Sequence, residues 1–244
     1  MQARVHSIET FGSVDGPGIR FIIFLQGCNM RCRYCHNVDT WNSTNADTKL
    51  MDADELLDKA ERYRSYWGED GGITVSGGEA LLQIDFLLEL FTKAKKRGIN
   101  TCIDTCLEPF TRNEPFFSKF EELMKVTDLL LVDIKHIDPV KHKDLTGKDN
   151  ANILDGIKYL SDINKKIWIR QVLVEGYTDN DEDLRKTRAF IETLTNVEKI
   201  EVLPYHNLGV HKWEQLGIPY TLTNVKSPSK ERTAFAQQIL RGEA

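Results

Sequence analysis

Short apolar runs along the chain alternate with longer stretches whose apolar residues return every third or fourth position. Six runs, at 21–26, 73–76, 100–103, 129–134, 167–173 and 200–203, are hydrophobic almost throughout. Uniform hydrophobicity, rather than alternation, is the pattern of parallel strands covered on both faces. The intervening stretches carry a helical period. In 52–66, Leu56, Leu57, Ala60 and Tyr63 share a face, and Asp52 with Glu55 forms a capping-box pair. In 85–97, Phe86, Leu87, Leu90, Phe91 and Ala94 make an apolar stripe that ends before Gly98, a suitable C-terminal cap. The segments 114–124, 151–162, 181–194 and 230–240 complete the predicted helices.

Six successive strand–helix units specify an α/β fold with a parallel sheet, either open or wound as a barrel. In both, function collects beyond the C-terminal ends of the strands. Here every predicted strand is followed by distinctive polar residues: Cys28–Cys35, Ser76–Glu79, Asp104, Asp133–Lys135, Glu175–Gly176 and Tyr205–His206. Contributions from all strand ends favour a barrel. With six units it is expected to be an incomplete (β/α)6 barrel, open on one side. The expectation is one domain over 1–244, with an N-terminal extension over about 1–20 and a cysteine loop at 27–37.

Composition narrows the function. The 244 residues are 41% hydrophobic and 28% charged, with a net charge of −5. An acidic chain without a basic face is a poor non-specific binder of nucleic acid. The longest apolar stretches, 21–25 and 129–132, are far too short to cross a bilayer. The first ten residues lack a secretory pattern, so the cytoplasm is the expected location. In that compartment the five cysteines read as buried thiols, ligands or nucleophiles before disulfides.

Cys28, Cys32 and Cys35 lie within eight residues, directly after the first predicted strand. Three thiolates can hold a four-iron cluster and leave one iron open to a ligand. A structural zinc ion wants four ligands, and His36 or His6 could supply the fourth. Zinc knuckles usually pair two C-x-x-C units, whereas one is present here. Chance clustering is the remaining alternative.

The arrangement C-x-x-x-C-x-aromatic-C, filled by Cys28, Cys32, Tyr34 and Cys35, resembles the signature of the radical S-adenosylmethionine (SAM) enzymes. Four further stretches resemble the activating enzymes of glycyl radical proteins within that superfamily. They are Val14-Asp15-Gly16-Pro17-Gly18-Ile19-Arg20, Tyr34-Cys35-His36-Asn37, Leu203-Pro204-Tyr205-His206 and Leu208-Gly209. The resemblance implies a [4Fe-4S] cluster on Cys28, Cys32 and Cys35. It implies reductive cleavage of SAM to a 5′-deoxyadenosyl radical, which takes a hydrogen atom from a glycine Cα of a partner protein. The implied partner is pyruvate formate-lyase, through its glycine-bearing loop, in anaerobic glucose metabolism. Another glycyl radical enzyme is the alternative target. The segment 38–50 has no cysteine-rich insertion of the kind seen in dehydratase activases. The implied electron donor is a flavodoxin or ferredoxin, and the expected state is a monomer that binds neither nucleic acid nor membrane.

The same resemblance assigns SAM contacts to Tyr34, Cys35, His36, Asn37, Gly77, Gly78, Glu79, Asp133, Ile134, Lys135, Arg170, Val172 and His206. Gly78 would meet the amino group, Lys135 and Arg170 the carboxylate, Val172 the adenine and His206 the adenosine end. A monovalent cation, Na⁺ or K⁺, is implied at Asp104, Thr105, Leu131 and Asp133. Asp15 is implied to lie near the substrate peptide. Each group also has a plainer reading: a strand-to-helix turn at 76–80, helix caps or solvated carboxylates at Asp104 and Asp133, a structural ion pair at Arg170, and turn and surface roles for Asp15 and Arg20. Cys102 reads as a buried strand residue and Cys106 as a loop thiol. The pair Cys106-Leu107 stands where related enzymes carry Asn-Gly, and the loop 108–114 is longer than theirs.

Overall fold

The computed structural model describes residues 1–46 and 48–244. The strands are β1 (Gln2–Gly12), β2 (Arg20–Leu25), β3 (Lys49–Asp52), β4 (Gly72–Gly77), β5 (Asn100–Thr105), β6 (Leu129–Asp133), β7 (Ile167–Leu173) and β8 (Val197–Pro204). The helices are α1 (Ala53–Glu61), α2 (Ile84–Lys96), α3 (Phe116–Lys125), α4 (Pro139–Thr146), α5 (Ala151–Asp162), α6 (Asp181–Ile191), α7 (Val210–Gln215) and α8 (Lys230–Arg241). The fold is α/β. Its mostly parallel sheet does not close and runs in the order β3-β1-β2-β4-β5-β6-β7-β8.

All six predicted strands are present, as β2 and β4 to β8. Strand β1 and the edge strand β3 beside it are additions. β1 escaped the pattern because its register with β2 shifts between Val5 and Ser7 and again between Glu9 and Gly12, which breaks the alternation. β3 has four residues, of which only Met51 is buried. Among the helices, α4 and α7 were also unanticipated. Both are too short to display a helical period.

The chain divides into two compact units, Met1–Asn29 with Thr40–Leu131, and Met30–Asp39 with Val132–Ala244. In the first, β1 pairs antiparallel with β2 and β3, and β2, β4 and β5 run parallel. The Asp52 carboxylate accepts from the Glu55 amide at 2.9 Å and starts α1, as its sequence indicated. Leu87, Leu90, Phe91 and Ala94 of α2 are fully buried. In the second unit β7 and β8 run parallel. Leu173, Leu184, Val202, Ala236, Ile239 and Leu240 join these strands to α6 and α8 in one cluster. The Gln237 side chain accepts from the Val202 amide at 2.7 Å and donates to the Ile200 carbonyl at 2.8 Å. A side-chain amide from α8 thus meets backbone groups of the last strand, β8.

Arg20 overturns its surface reading. Its side chain is 0% exposed at the start of β2. The guanidinium donates to Thr74 Oγ1 at 3.0 Å, to Asn100 Oδ1 at 2.8 Å and to the carbonyls of Asp70 and Ile73. Burial lowers its pKa, while Cys102, Asp128 and Asp15 oppose that shift. Thr74 in turn donates to the Asp15 carbonyl at 2.7 Å, so the Arg20 network reaches the loop that carries Asp15. Substitution Arg20→Met is expected to cost on the order of 3 kcal/mol, because several buried acceptors lose their donor together. Thr74→Val, which removes two bonds, should cost less. Urea midpoints of the two variants check the order.

Candidate active site

In the first unit the polar site grows from the end of β4. Gly77 has φ +122°, and a Cβ there would lie 2.3 Å from the backbone of Leu25. A Cβ on Gly78 would lie 2.2 Å from the Gly27 carbonyl oxygen and 3.1 Å from Cys28 Cβ. The amides of Gly78 and Glu79 donate to the carbonyls of Leu25 and Gly27. The two glycines therefore let the β4 turn press directly on the backbone from which Cys28 emerges. Their sequence reading assigned that closeness to a ligand; the described contact is with the cysteine loop itself.

Glu79 is buried and surrounded by donors. One carboxylate oxygen accepts from Thr105 Oγ1 at 2.6 Å and the Leu81 amide at 2.9 Å. The other accepts from the amide and the thiol of Cys106, both at 3.0 Å. Burial raises the Glu79 pKa, and these four bonds work against it. Cys106 lies in the loop after β5, as its sequence indicated, and at 7% exposed it is a buried partner of Glu79. Cys102 is buried in β5 as expected. Asp104 Oδ2 accepts from Ser76 Oγ at 2.8 Å. Thr105, beside it, spends its hydroxyl on Glu79. Leu131 is a fully buried residue of β6. Asp15 is half-buried in its loop.

In the second unit the segment after Cys28 is pinned by backbone bonds. The amides of Arg31 and Arg33 donate to the carbonyls of Thr146 and Leu145 at the end of α4, and Cys35 N donates to Cys32 O at 3.0 Å. Next to this turn Lys135 Nζ lies 2.9 Å from Asp133 Oδ2, and Arg170 Nη2 lies 3.6 Å from the same oxygen. Burial alone would raise the Asp133 pKa. Lys135 and Arg170 outweigh it and hold the carboxyl below its ordinary range. Lys135 Nζ also stands 5.8 Å from the centre of the Tyr34 ring. Ile134 is buried, and its amide donates to the Arg170 carbonyl at 2.9 Å, tying the end of β6 to the middle of β7. Val172 packs against the Tyr34, Val174 and Tyr205 cluster.

The rings of His36 and His206 stack with centroids 4.0 Å apart, and His36 Nε2 lies 2.8 Å from the His206 carbonyl. Burial lowers the His36 pKa, which keeps the imidazole neutral near pH 7. Asn37 Oδ1 accepts from Lys212 Nζ at 3.4 Å, and Trp213 Nε1 donates to the Cys35 carbonyl at 2.9 Å. Neither Lys212 nor Trp213 was singled out from the sequence. The only signal was their place a few residues after the Tyr205-His206 pair.

None of the five cysteines is in a disulfide. Burial pushes the Cys32 thiol up to about 12, with Lys135 opposing. A thiolate there needs a strong local positive charge, which a metal centre supplies. The buried Tyr34 hydroxyl has no hydrogen-bond partner among the described residues. A buried thiol and an orphaned hydroxyl beside a paired Lys–Asp–Arg group fit a cluster with an anionic ligand.

The model of the family described as "Radical SAM superfamily" matches residues 22–188. The chain belongs to this family. Radical SAM enzymes carry a [4Fe-4S] cluster and use SAM. The chain is 52% identical over 239 residues to the pyruvate formate-lyase-activating enzyme of Streptococcus mutans, covering 98% of this chain and 91% of the relative. It is 51% identical over 238 residues to the corresponding enzyme of Listeria monocytogenes, covering 97% and 95%. A crystal structure of a domain of pyruvate-formate lyase-activating enzyme from Bacteroides vulgatus superposes with a TM-score of 0.58 at 27% identity, covering 71% of this chain and 94% of that one. This radical SAM chain is an enzyme, and its kind is the glycyl radical activase. The zinc-protein alternative is not favoured.

Two measurements follow from the geometry. Gly78→Ala is expected to destabilise the protein by at least about 2 kcal/mol, since the clash is with backbone and nothing flexible can yield. A thermal melt reads it as a fall of several degrees. His136 and His142 are each 1% exposed, and burial lowers both pKa values. Asp183 and Asp138 favour protonation of His136 and Lys141 opposes it; at His142 the Lys148 carbonyl and Asp149 favour it, and Lys135 and His136 oppose it. Both are harder to protonate in the folded chain than unfolded, where a histidine takes its proton around pH 6.5. Their contribution is therefore intact above that pH and declines as pH falls below it. Urea midpoints between pH 7.5 and 5.5 should drop towards acid.

Proposed function

We propose that this enzyme activates pyruvate formate-lyase by removing a hydrogen atom from one glycine Cα of that protein. The observation that carries the reading is the Lys135–Asp133–Arg170 group beside the Cys32–Cys35 turn. Support also comes from relatives near 50% identity over almost the whole chain. In this reading the thiolates of Cys28, Cys32 and Cys35 hold a [4Fe-4S] cluster. When bound, the cluster supplies the electron that cleaves SAM into methionine and the 5′-deoxyadenosyl radical that abstracts hydrogen.

The chain's own residues bind, orient and shield. Lys135 and Arg170 together bring two positive charges against one carboxylate, Asp133. The surplus positive charge suits the SAM carboxylate. The Gly78 backbone, held against Gly27, faces the amino group without a side chain in the way. Glu79 contributes by fixing Thr105 and Cys106. Tyr34, Ile134 and Val172 give an apolar wall that excludes water. His36, Asn37 and His206 hold the adenosine end. Asp15 receives the partner's peptide, on the loop that the Arg20 network steadies.

The reading extends to one domain over 1–244, acting as a cytoplasmic monomer and reduced by a flavodoxin or ferredoxin. It includes a monovalent cation, Na⁺ or K⁺, with Asp104, Thr105, Leu131 and Asp133 as its ligands. Replacing Na⁺ and K⁺ by a bulky organic cation should then weaken SAM binding, measured by calorimetry.

Protein purified without oxygen is expected to hold about four irons and four sulfides per chain. With SAM and a reductant it should produce a glycyl radical signal on pyruvate formate-lyase by electron paramagnetic resonance. Cys32→Ala should lose the iron and the signal. Stoichiometric zinc without iron would refute the reading. Lys135→Met should raise KM for SAM roughly tenfold, about 1.4 kcal/mol of binding, with a smaller effect on kcat.

A further inference from the structure

The segment from His206 to Trp213 is built against the second half of the cysteine loop at four points. The Trp213 indole N–H donates to the carbonyl of Cys35 at 2.9 Å. Lys212 Nζ reaches Asp39 at 3.0 Å and Asn37 at 3.4 Å. Gly209 lies so close to His36 that a Cβ on it would come within 2.8 Å of His36 Cα. The His36 ring stacks on His206 and meets the His206 carbonyl. Trp213 is itself held firmly. It is 4% exposed and packs edge-on against Tyr220, whose hydroxyl bonds that of Tyr205 at 2.6 Å.

Four residues of one short stretch, His206, Gly209, Lys212 and Trp213, thus meet Cys35, His36, Asn37 and Asp39. Before Cys35 the loop is held by backbone bonds that include those of Arg31 and Arg33, which flank Cys32. Beyond Cys35 the described holds come from this stretch and from the 38–40 turn. A donor on the carbonyl of a ligating residue restrains the peptide plane that follows it and limits how far the backbone carrying the ligand can shift.

We infer that Trp213 and Lys212 are positioning residues for the cluster: they clasp the backbone after Cys35 and so set the direction and retention of the Cys35 thiolate. The inference rests on the reading of Cys35 as a cluster ligand. The clasp need not touch SAM, iron or the partner protein. Its effect is on how tightly the metal centre is kept and on its electronic environment.

The test compares reconstituted wild-type enzyme with Trp213→Phe and Lys212→Met. Phe retains the ring that packs on Tyr220 but lacks the N–H. Lys212→Met keeps an unbranched apolar stem of similar length and removes only the ammonium, so this variant tests the clasp even where substitution of Trp213 unfolds the chain. The readouts are the rate of iron release to a ferrous chelator and the electron paramagnetic resonance spectrum of the reduced protein, with the apo-protein melt as reference. The expected result is iron release on the order of tenfold faster for Trp213→Phe and severalfold faster for Lys212→Met, with a shifted spectrum in the former. Trp213→His, which restores an N–H, should recover part of the loss. Wild-type release rates and spectra in both variants would overturn the clasp. So would accelerated release in which apo stability falls in parallel and His gives no recovery, since that marks a packing role only. Wild-type protein that takes up no iron would refute the cluster reading instead, a result separable from either.

Discussion

Two backbones meet without side chains between them where β4 ends, and the site is arranged around that contact. Gly77 and Gly78 lie against Leu25 and Gly27, so the turn after β4 and the origin of the cysteine loop form one surface. A methyl group at either glycine would push the loop away. The next residue, Glu79, is therefore delivered to a fixed point, where Thr105, Leu81 and Cys106 can all donate to it. One steric constraint thus propagates along three successive pieces of chain before any ligand is considered.

Buried charge is handled in two contrasting ways. Glu79 is satisfied by neutral donors, two amides, a hydroxyl and a thiol, and functions as a strut within its unit. Asp133 is met by two cations, which leaves the group as a whole positive. Removing an ion from water is costly unless partners replace the lost solvation. The first solution locks a loop in place. The second leaves a positive surplus that an anionic ligand can share. Arg20 resembles the first: its guanidinium donates to backbone carbonyls, an amide oxygen and a hydroxyl.

Where burial is uniform, the sequence was readable. β2 and β4 to β8 emerge from unbroken apolar runs, and α2 and α5 from clear three-to-four spacing. β1 was hidden because two register shifts move its side chains between faces. The three cysteines stand out through their spacing, which by itself leaves zinc and an iron–sulfur cluster both open. Arg20 was misjudged because an arginine at a strand start looks like a surface residue, and only the folded neighbours reveal its acceptors. Cys106 and Trp213 were opaque for a related reason. Each acts on a residue far away in sequence, Glu79 and Cys35, and no local pattern encodes such a pairing.

The Gln237 amide has a consequence for how the protein behaves in company. It accepts from Val202 and donates to Ile200, imitating for one step the neighbour that the last strand of the sheet lacks. An edge with free amides and carbonyls recruits extended chains indiscriminately. An activase has to handle a loosened polypeptide loop from another protein, a natural candidate for such misplaced pairing. At that step of β8 a side chain from α8 already occupies the amide and the carbonyl that an added strand would need.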